Sequence, residues 1–320
     1  MITIPDKDTV TKDFMQQEDV FADAFNFYIY NGRQVIRPEQ LKPMDTTAIA
    51  LPYRDVQRPN PQQRIRDVYK TVIAMEDGRA AYYLGIENQS EVHYAMPVRN
   101  MLYDAMDYSA QVDRAARSHR ESKDRSRTKG EFLSGFYRTD KLLPIVTLTV
   151  YFGPDSWDAP LDLHEMLDAD AELLRFIDNY HVNLIAPANI TDEEFGKFHT
   201  ELCQALKFIK YSKDKTRLAE VVEADAAYRS ISRRTADMVS IVTNSDLHYA
   251  EGRESVDMCE AIEGIKSDYR AIGYTEGRNE GSLETLIKLV KKGILSVGVA
   301  AVEAGMTVEE FEKKMESYDV

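Results

Sequence analysis

The chain begins with apolar residues at helical spacing, followed by a typical helix end. Spacings of three and four residues place apolar side chains on one side of an α-helix. We therefore predict one N-terminal helix that is capped by Asp8 or Thr11 and ends near Asn31. The apolar positions that form its face are Phe14, Val20, Phe21, Phe25 and Tyr28.

Strand patterns occupy the next part of the chain. Residues 46–51 favour a short strand, and a Pro-Asn-Pro sequence at 59–61 then interrupts the pattern. Residues 64–75 and 80–89 are rich in β-branched, aromatic and aliphatic residues and are separated by a few turn-forming residues. This arrangement predicts two paired strands.

A helix and a buried strand complete the first half of the pattern. Residues 96–112 have apolar side chains at helical spacing, with Pro97 in the first turn, where proline is well tolerated. Residues 142–152 form a β-branched apolar run typical of a central buried strand, and residues 180–185 form a weaker one. A strand that follows a crossover helix usually joins its sheet in parallel, so this order predicts a mixed α/β core with helices on the sheet.

The pattern is helical from residue 191 to about residue 263, and again in the C-terminal part. From residue 276 four glycines mark helix ends, Thr307 and Glu310 form a capping-box pattern, and residues 295–315 fit a helix-turn-helix. The second helix of that pair carries four glutamates, whereas a base-reading helix normally presents Arg, Asn or Gln. We therefore favour packing or self-association over DNA reading. The glycines are Gly277, Gly281, Gly293 and Gly305.

Composition predicts a soluble cytoplasmic protein. The 320 residues are 43% hydrophobic and 29% charged, which is typical of globular proteins. No segment approaches the roughly 20 apolar residues of a membrane span, and the N-terminus lacks the features of a secretory signal. Cys203 and Cys259 lie far apart in helical sequence, which favours reduced thiols over a disulfide framework.

Charge is distributed unevenly along the chain. The formal net charge is −14, which argues against a polyanionic partner. Residues 114–129, here called the basic segment, nevertheless carry seven Lys or Arg residues against Glu121 and Asp124. The segment is either a solvated connector or a loop that contacts phosphates. For the second case the contacting residues would be Arg117, Arg120, Arg125 and Arg127.

Two carboxylates and an amide form the candidate chemical site. Glu87 and Gln89 are two residues apart on one predicted strand and therefore share a face, and Asp67 lies on the neighbouring strand. Mg²⁺ prefers oxygen ligands and often binds through one or two carboxylates. Asp67 and Glu87, here called the acid pair, therefore form a possible metal site, with Gln89 orienting water or a phosphate oxygen. Alternatively, both acids are surface carboxylates neutralised by neighbouring Arg66 and Lys70.

Several sequence runs resemble the Rpn (YhgA-like) family, whose members are described as recombination-promoting nucleases or putative transposases. The resemblance covers most of residues 10 to 265. The runs are FADAFN at 21–26, RDV at 66–68, LGIENQSE at 84–91, MPVRNMLYDA at 96–105, LPIVT at 143–147, WDAP at 157–160 and LHEML at 163–167.

The resemblance implies a PD-(D/E)XK restriction-endonuclease-like core, a mixed sheet flanked by helices. It makes Asp67 and Glu87 the metal-binding acids and puts Gln89 in the place of the motif's lysine, a departure that the family itself commonly shows. An uncharged residue there leaves transition-state charge to the metal alone. The resemblance also suggests further residues that could face the site, namely Asp23, Arg99 and Tyr103.

Together these observations predict a Mg²⁺- or Mn²⁺-dependent DNA endonuclease that hydrolyses phosphodiester bonds and could promote recombination. We predict a nuclease-like core at 1–190, a helical extension packed on it at 191–275, and a C-terminal helical hairpin at 276–320. Two alternatives remain: a nuclease fold without catalysis that binds DNA or a protein, and a homo-oligomeric scaffold that acts through the C-terminal helices.

Overall fold

The computed structural model describes residues 6–44, 47–50, 62–73, 80–122, 128–245, 247, 249 and 252–317. The helices are α1 (Lys7–Met15), α2 (Glu18–Tyr30), α3 (Met96–Glu121), α4 (Lys129–Ser134), α5 (Ala171–Leu174), α6 (Leu202–Tyr211), α7 (Lys215–Ala224), α8 (Arg233–Thr243), α9 (Met258–Lys291), α10 (Val297–Glu303) and α11 (Val308–Ser317). The strands are β1 (Leu41–Pro43), β2 (Thr47–Ala50), β3 (Gln62–Ile65), β4 (Val68–Ile73), β5 (Ala80–Gln89), β6 (Ile145–Tyr151), β7 (Asn183–Ile185), β8 (Ile231–Ser232) and β9 (Ser255–Val256).

A mixed five-stranded sheet with the order β1-β4-β5-β6-β7 forms the centre of the fold. β1 and β5 pair antiparallel with β4, whereas β6 pairs parallel with β5 and with β7. The crossover from β5 to β6 contains α3, so the predicted parallel pairing across a helix is confirmed. The central strand β6 is almost wholly buried, as its β-branched sequence predicts.

Helices cover both faces of this sheet. On one face α3 packs against β6, where Asn100 Nδ2 donates a hydrogen bond to Thr149 Oγ1 at 3.0 Å. On the other face Lys70 of β4 donates to the Gln16 carbonyl at 2.7 Å, and its ammonium lies 5.1 Å from the centre of the Phe21 ring. The α1–α2 region therefore covers the face opposite α3, and the mixed α/β core with flanking helices is confirmed.

Several predicted boundaries are wrong. The single N-terminal helix is two helices, α1 and α2, and the cap is Asp6, whose Oδ1 accepts from the Thr9 amide at 2.7 Å, and not Asp8 or Thr11. The helix predicted at 96–112 continues to residue 121, so the first half of the basic segment is helical and not a connector. The helical stretch after residue 191 is interrupted by the β8–β9 pair.

Only two of the four C-terminal glycines mark the helix ends that the sequence predicted. Gly277 and Gly281 lie inside α9 and end no helix. Gly293 and Gly305 follow helices and have φ values of 71° and 68°, which only glycine adopts readily. The capping box at Thr307 is confirmed, because its amide donates to Glu310 Oε2 at 2.9 Å.

The chain forms two compact units. One comprises Met1–Asp246 and Ala250–Cys259, and the other comprises Leu247–Tyr249 and Glu260–Val320. The second unit has its own apolar core, to which α9, α10 and α11 all contribute. The three-part division at residues 190 and 275 stays a prediction. No helix in the described part of the chain is long and apolar enough to cross a membrane.

Candidate active site

The acid pair lies where the pairing of β4 with β5 ends. The last registered pair is Val68 with Ile86, so Asp67, in the junction between β3 and β4, lies next to Glu87. Asp67 Oδ2 accepts a hydrogen bond from the Asn88 amide at 2.8 Å. The carboxylate thus replaces a backbone acceptor at the strand end, which fixes its position beside β5.

Glu87 is completely buried, with 0% of its side chain exposed. Its Oε2 accepts from Arg99 Nη2 of α3 at 3.1 Å, whereas its Oε1 is buried and has no hydrogen-bond partner in the described structure. Burial, and then repulsion by Asp67, raise the pKa of Glu87 to about 8, against the opposing effect of Arg99. This carboxyl group therefore resists ionisation near neutral pH.

Asp67 is less enclosed than its partner. Burial raises the pKa of Asp67 above its usual range, while the Asn88 amide and the charges of Arg99 and Lys12 oppose the rise. Two adjacent carboxyl groups with raised pKa values are expected at a site where a bound cation compensates their negative charge.

Three more predicted residues lie beside the acid pair, namely Gln89, Arg99 and Tyr103. Gln89 is 8% exposed, and its Nε2 donates to the Asn88 carbonyl at 2.6 Å. Tyr103 is 3% exposed, and the centre of its ring lies 5.8 Å from Arg99 Cζ. Because these two α3 residues are one helical turn apart, they face Glu87 together. Asp67, Glu87, Gln89, Arg99 and Tyr103 are thus neighbours, and their catalytic roles stay predictions.

Asp23 lies elsewhere and has a structural environment. Its carboxylate accepts from the amides of His199 and Thr200 at 2.9 Å each and from Thr200 Oγ1 at 2.7 Å. These bonds attach α2 to the segment that precedes α6. The structure does not bring Asp23 to the acid pair.

The helical part of the basic segment, at the end of α3, is distant from the site. Arg117 and Arg120 are exposed near the end of α3, and Arg117 is 18 residues from Arg99 on the same helix. At 1.5 Å per residue this separation is roughly 27 Å. Arg125 and Arg127 lie outside the described residues, so the predicted backbone contacts of all four arginines stay predictions.

A buried arginine beside the site was not predicted from the sequence. Arg66 is 1% exposed, and it binds Asp104 Oδ1 at 2.8 Å, Asp107 Oδ2 at 3.0 Å and Thr147 Oγ1 at 2.8 Å. We call these four residues the Arg66 cluster. Tyr180 extends it by donating to Asp104 Oδ2 at 2.7 Å. The cluster joins the residue before Asp67 to α3, which carries Arg99.

Gly85 is the sequence feature that could have pointed to a close approach at this place. A glycine inside a strand often marks a close approach by another group. A Cβ at Gly85 would lie 2.7 Å from Arg66 Nη1, so any side chain there would displace the guanidinium. Gly85 is therefore required for the position of Arg66.

The acid pair could hold one divalent cation. Within the described residues no group of three or more His, Cys, Asp or Glu side chains could do so, which leaves two carboxylates as protein ligands. Two carboxylates with waters and substrate oxygens are a usual set for Mg²⁺. The buried Glu87 Oε1, which lacks a partner, fits that interpretation, because an unpaired buried carboxylate oxygen is otherwise unfavourable.

Comparison with known proteins gives one family. The model of the family described as "Putative transposase, YhgA-like" matches residues 6–235. No significant match was found among curated proteins or among solved structures. The matched range contains the acid pair, Gln89, the Arg66 cluster and the whole five-stranded sheet.

Proposed function

Because the chain belongs to the YhgA-like putative transposase family, we propose that it is a metal-dependent DNA endonuclease with a core of the PD-(D/E)XK type. The family itself suggests a nuclease or transposase role. The observation that carries the finer proposal is the acid pair: Asp67 and Glu87 meet at a strand end, and Glu87 keeps a buried oxygen without a partner.

Asp67 and Glu87 would hold Mg²⁺ or Mn²⁺ through carboxylate oxygens, the ligands these ions prefer. When bound, such a cation supplies Lewis-acid stabilisation of phosphoryl oxygens and makes water at the site more acidic. The Asn88 amide keeps Asp67 in place for this role by donating to Oδ2 and leaving Oδ1 for another partner.

Arg99 supplies the positive charge that Gln89 lacks. In many nucleases of this type a lysine two residues after the second acid stabilises charge in the transition state, and an amide cannot do so. Arg99 contacts Glu87, and about a third of its side chain remains exposed. If the carboxylate binds a cation, the guanidinium becomes available to a phosphate oxygen, for which its planar shape is well suited.

Gln89 has a positioning role in this proposal. Its amide nitrogen is held by the Asn88 carbonyl, so the direction of its amide oxygen is restricted. That oxygen can accept a hydrogen bond from water, but it cannot serve as an effective general base.

Plasmid cleavage tests the proposal. Supercoiled plasmid is incubated with the full-length protein in Mg²⁺, Mn²⁺ or EDTA, together with Glu87→Gln, Arg99→Gln and, as a matched control, the exposed Glu91→Gln. We expect nicking with either metal, none in EDTA, loss with the first two variants and no change with the control. Cleavage that persists in EDTA or in Glu87→Gln would contradict the assignment.

A second candidate function is favoured by the pairing of Arg99 with Glu87. An arginine already occupies one oxygen of the acid that would bind metal, and Gln89 adds no charge. The chain could therefore be a nuclease fold without catalysis, binding DNA or a protein or acting as an oligomeric scaffold through its C-terminal helices. A rise in melting temperature with Mg²⁺ that Asp67→Asn abolishes would favour the enzyme, because a ligand stabilises only the state that binds it. Function lost on deleting residues 276–320, with a dispensable acid pair, would favour the scaffold.

A further inference from the structure

Three arginines surround an open cavity on the first compact unit. The cavity has a volume of about 680 Å³ and is lined by Gln17, Ser232, Arg233, Arg234, Gly252, Arg253 and Glu254. We call it the arginine groove. The described residues of its lining carry three guanidinium groups and one carboxylate, in a chain whose formal net charge is −14.

The β8–β9 pair brings these arginines together. Ser232 pairs with Ser255, and the Arg233 amide donates to the Glu254 carbonyl at 2.8 Å, so residues distant in sequence meet. Gly252 has a φ of 80°, a conformation that favours glycine, just before Arg253. Arg233 also lies 3.7 Å from Asp237, but this exposed pair contributes little to stability. An anion in the groove would interact favourably with the arginine side chains that line it.

Helix α1 links the groove to the acid pair. The charge of Lys12, on α1, acts on Asp67, and Gln17, five residues later, lines the groove.

We propose that the arginine groove binds the phosphodiester backbone of the duplex DNA substrate. This inference rests on the proposed endonuclease function and adds the surface that holds the substrate. An open groove suits a continuous backbone that passes through it, and arginine is well matched to phosphate oxygens. These contacts would set affinity and position without reading sequence.

Binding in EDTA tests the groove separately from cleavage. Fluorescence anisotropy with a labelled 20-base-pair duplex is measured across a salt series for the full-length parent and for Arg233→Gln/Arg234→Gln/Arg253→Gln. Each phosphate contact contributes about 0.9 to the slope of log K against log salt. We expect the triple variant to lower that slope by up to about 2.7 and to weaken binding at every salt concentration. If the parent binds in this way but does not cut with metal, only the nuclease proposal fails.

Two further variants keep the test decisive. The control Arg33→Gln/Arg37→Gln/Arg175→Gln removes three exposed arginines outside the groove and makes the same change in net charge. The double variant Arg234→Gln/Arg253→Gln alters only exposed side chains and should lower the slope by up to about 1.8 even if the triple variant folds poorly.

Three outcomes would overturn the proposal. One is an equal effect of the groove variants and the control, and another is a parent that does not bind the duplex. The third is displacement of the duplex by millimolar pyrophosphate but not by sodium chloride of equal ionic strength, which would assign the groove to a small phosphorylated ligand.

Discussion

Replacing Glu87 with Gln should change how stability depends on pH. The substitution keeps the size of a fully buried side chain and removes its ionisation. Burial and the neighbouring Asp67 raise the pKa of Glu87 to about 8 from 4.5. Because the folded pKa lies above the unfolded one, the folded protein retains a proton that the unfolded chain releases between these values. The free energy of unfolding therefore falls as pH rises through this window.

The size of the effect follows from the two pKa values. A difference of about 3.5 pKa units lowers the free energy of unfolding by about 5 kcal/mol once the pH has risen above both pKa values. The range from pH 5 to pH 8.5 covers only part of this titration, so the expected loss in the free energy of unfolding is about 4 kcal/mol. The parent should lose this amount from Glu87 alone. Glu87→Gln should lose that much less stability over the same range. Its free energy of unfolding relative to the parent should therefore rise by about 4 kcal/mol.

Urea unfolding in EDTA at pH 5, 7 and 8.5 measures this difference. Trp157 is the single tryptophan of the chain and lies in the first compact unit, so its fluorescence reports on the part that contains the site. The matched control is Glu91→Gln, which changes an exposed acid four residues away. A constant difference between Glu87→Gln and the parent at all three pH values would refute the reasoning.

Three other predictions concern the site and its surroundings. Asp67→Asn should abolish Mg²⁺-dependent nicking and melt no lower than the parent in EDTA, because it relieves repulsion; lower stability with normal nicking would indicate a structural acid. Arg66→Met should lower the free energy of unfolding in urea by about 3 to 5 kcal/mol, because two carboxylates lose a buried partner, whereas the exposed Arg33→Met should change it by less than about 0.5. Replacing the four arginines of the basic segment (117, 120, 125 and 127) with Gln should lower the DNA salt slope by about 0.9 for each phosphate contact; an unchanged slope would make the segment structural only.

The acid pair could be located from the sequence because local rules determine it. Strand alternation puts Glu87 and Gln89 on one face, and antiparallel pairing with a short connection brings Asp67 beside them. The central strand was equally clear, since its β-branched run is typical of a buried parallel strand. Both features depend on residues close in sequence or on pairing that the pattern itself specifies.

The ends of helices were harder to predict because the sequence signals that mark them are weak. No proline or glycine marks the break between α1 and α2 at Gln16 and Gln17. The last turns of α3 carry few apolar residues but several good helix formers, so periodicity fades before the helix ends. Gly277 shows the converse error, because glycine lowers helix stability without ending a helix that extends on both sides.

The partners of Arg66 could not be read from the sequence, because its bonds connect residues 38 to 81 positions apart. The Arg66 cluster nevertheless decides how the site is built. Gly85 leaves the space that the guanidinium occupies, and that guanidinium holds α3 through Asp104 and Asp107. The same helix carries Arg99 to Glu87. Arg66, which precedes Asp67, therefore fixes the helix that carries Arg99, and Arg99 contacts Glu87. The acid pair and the buried Arg66 cluster thus form one connected unit.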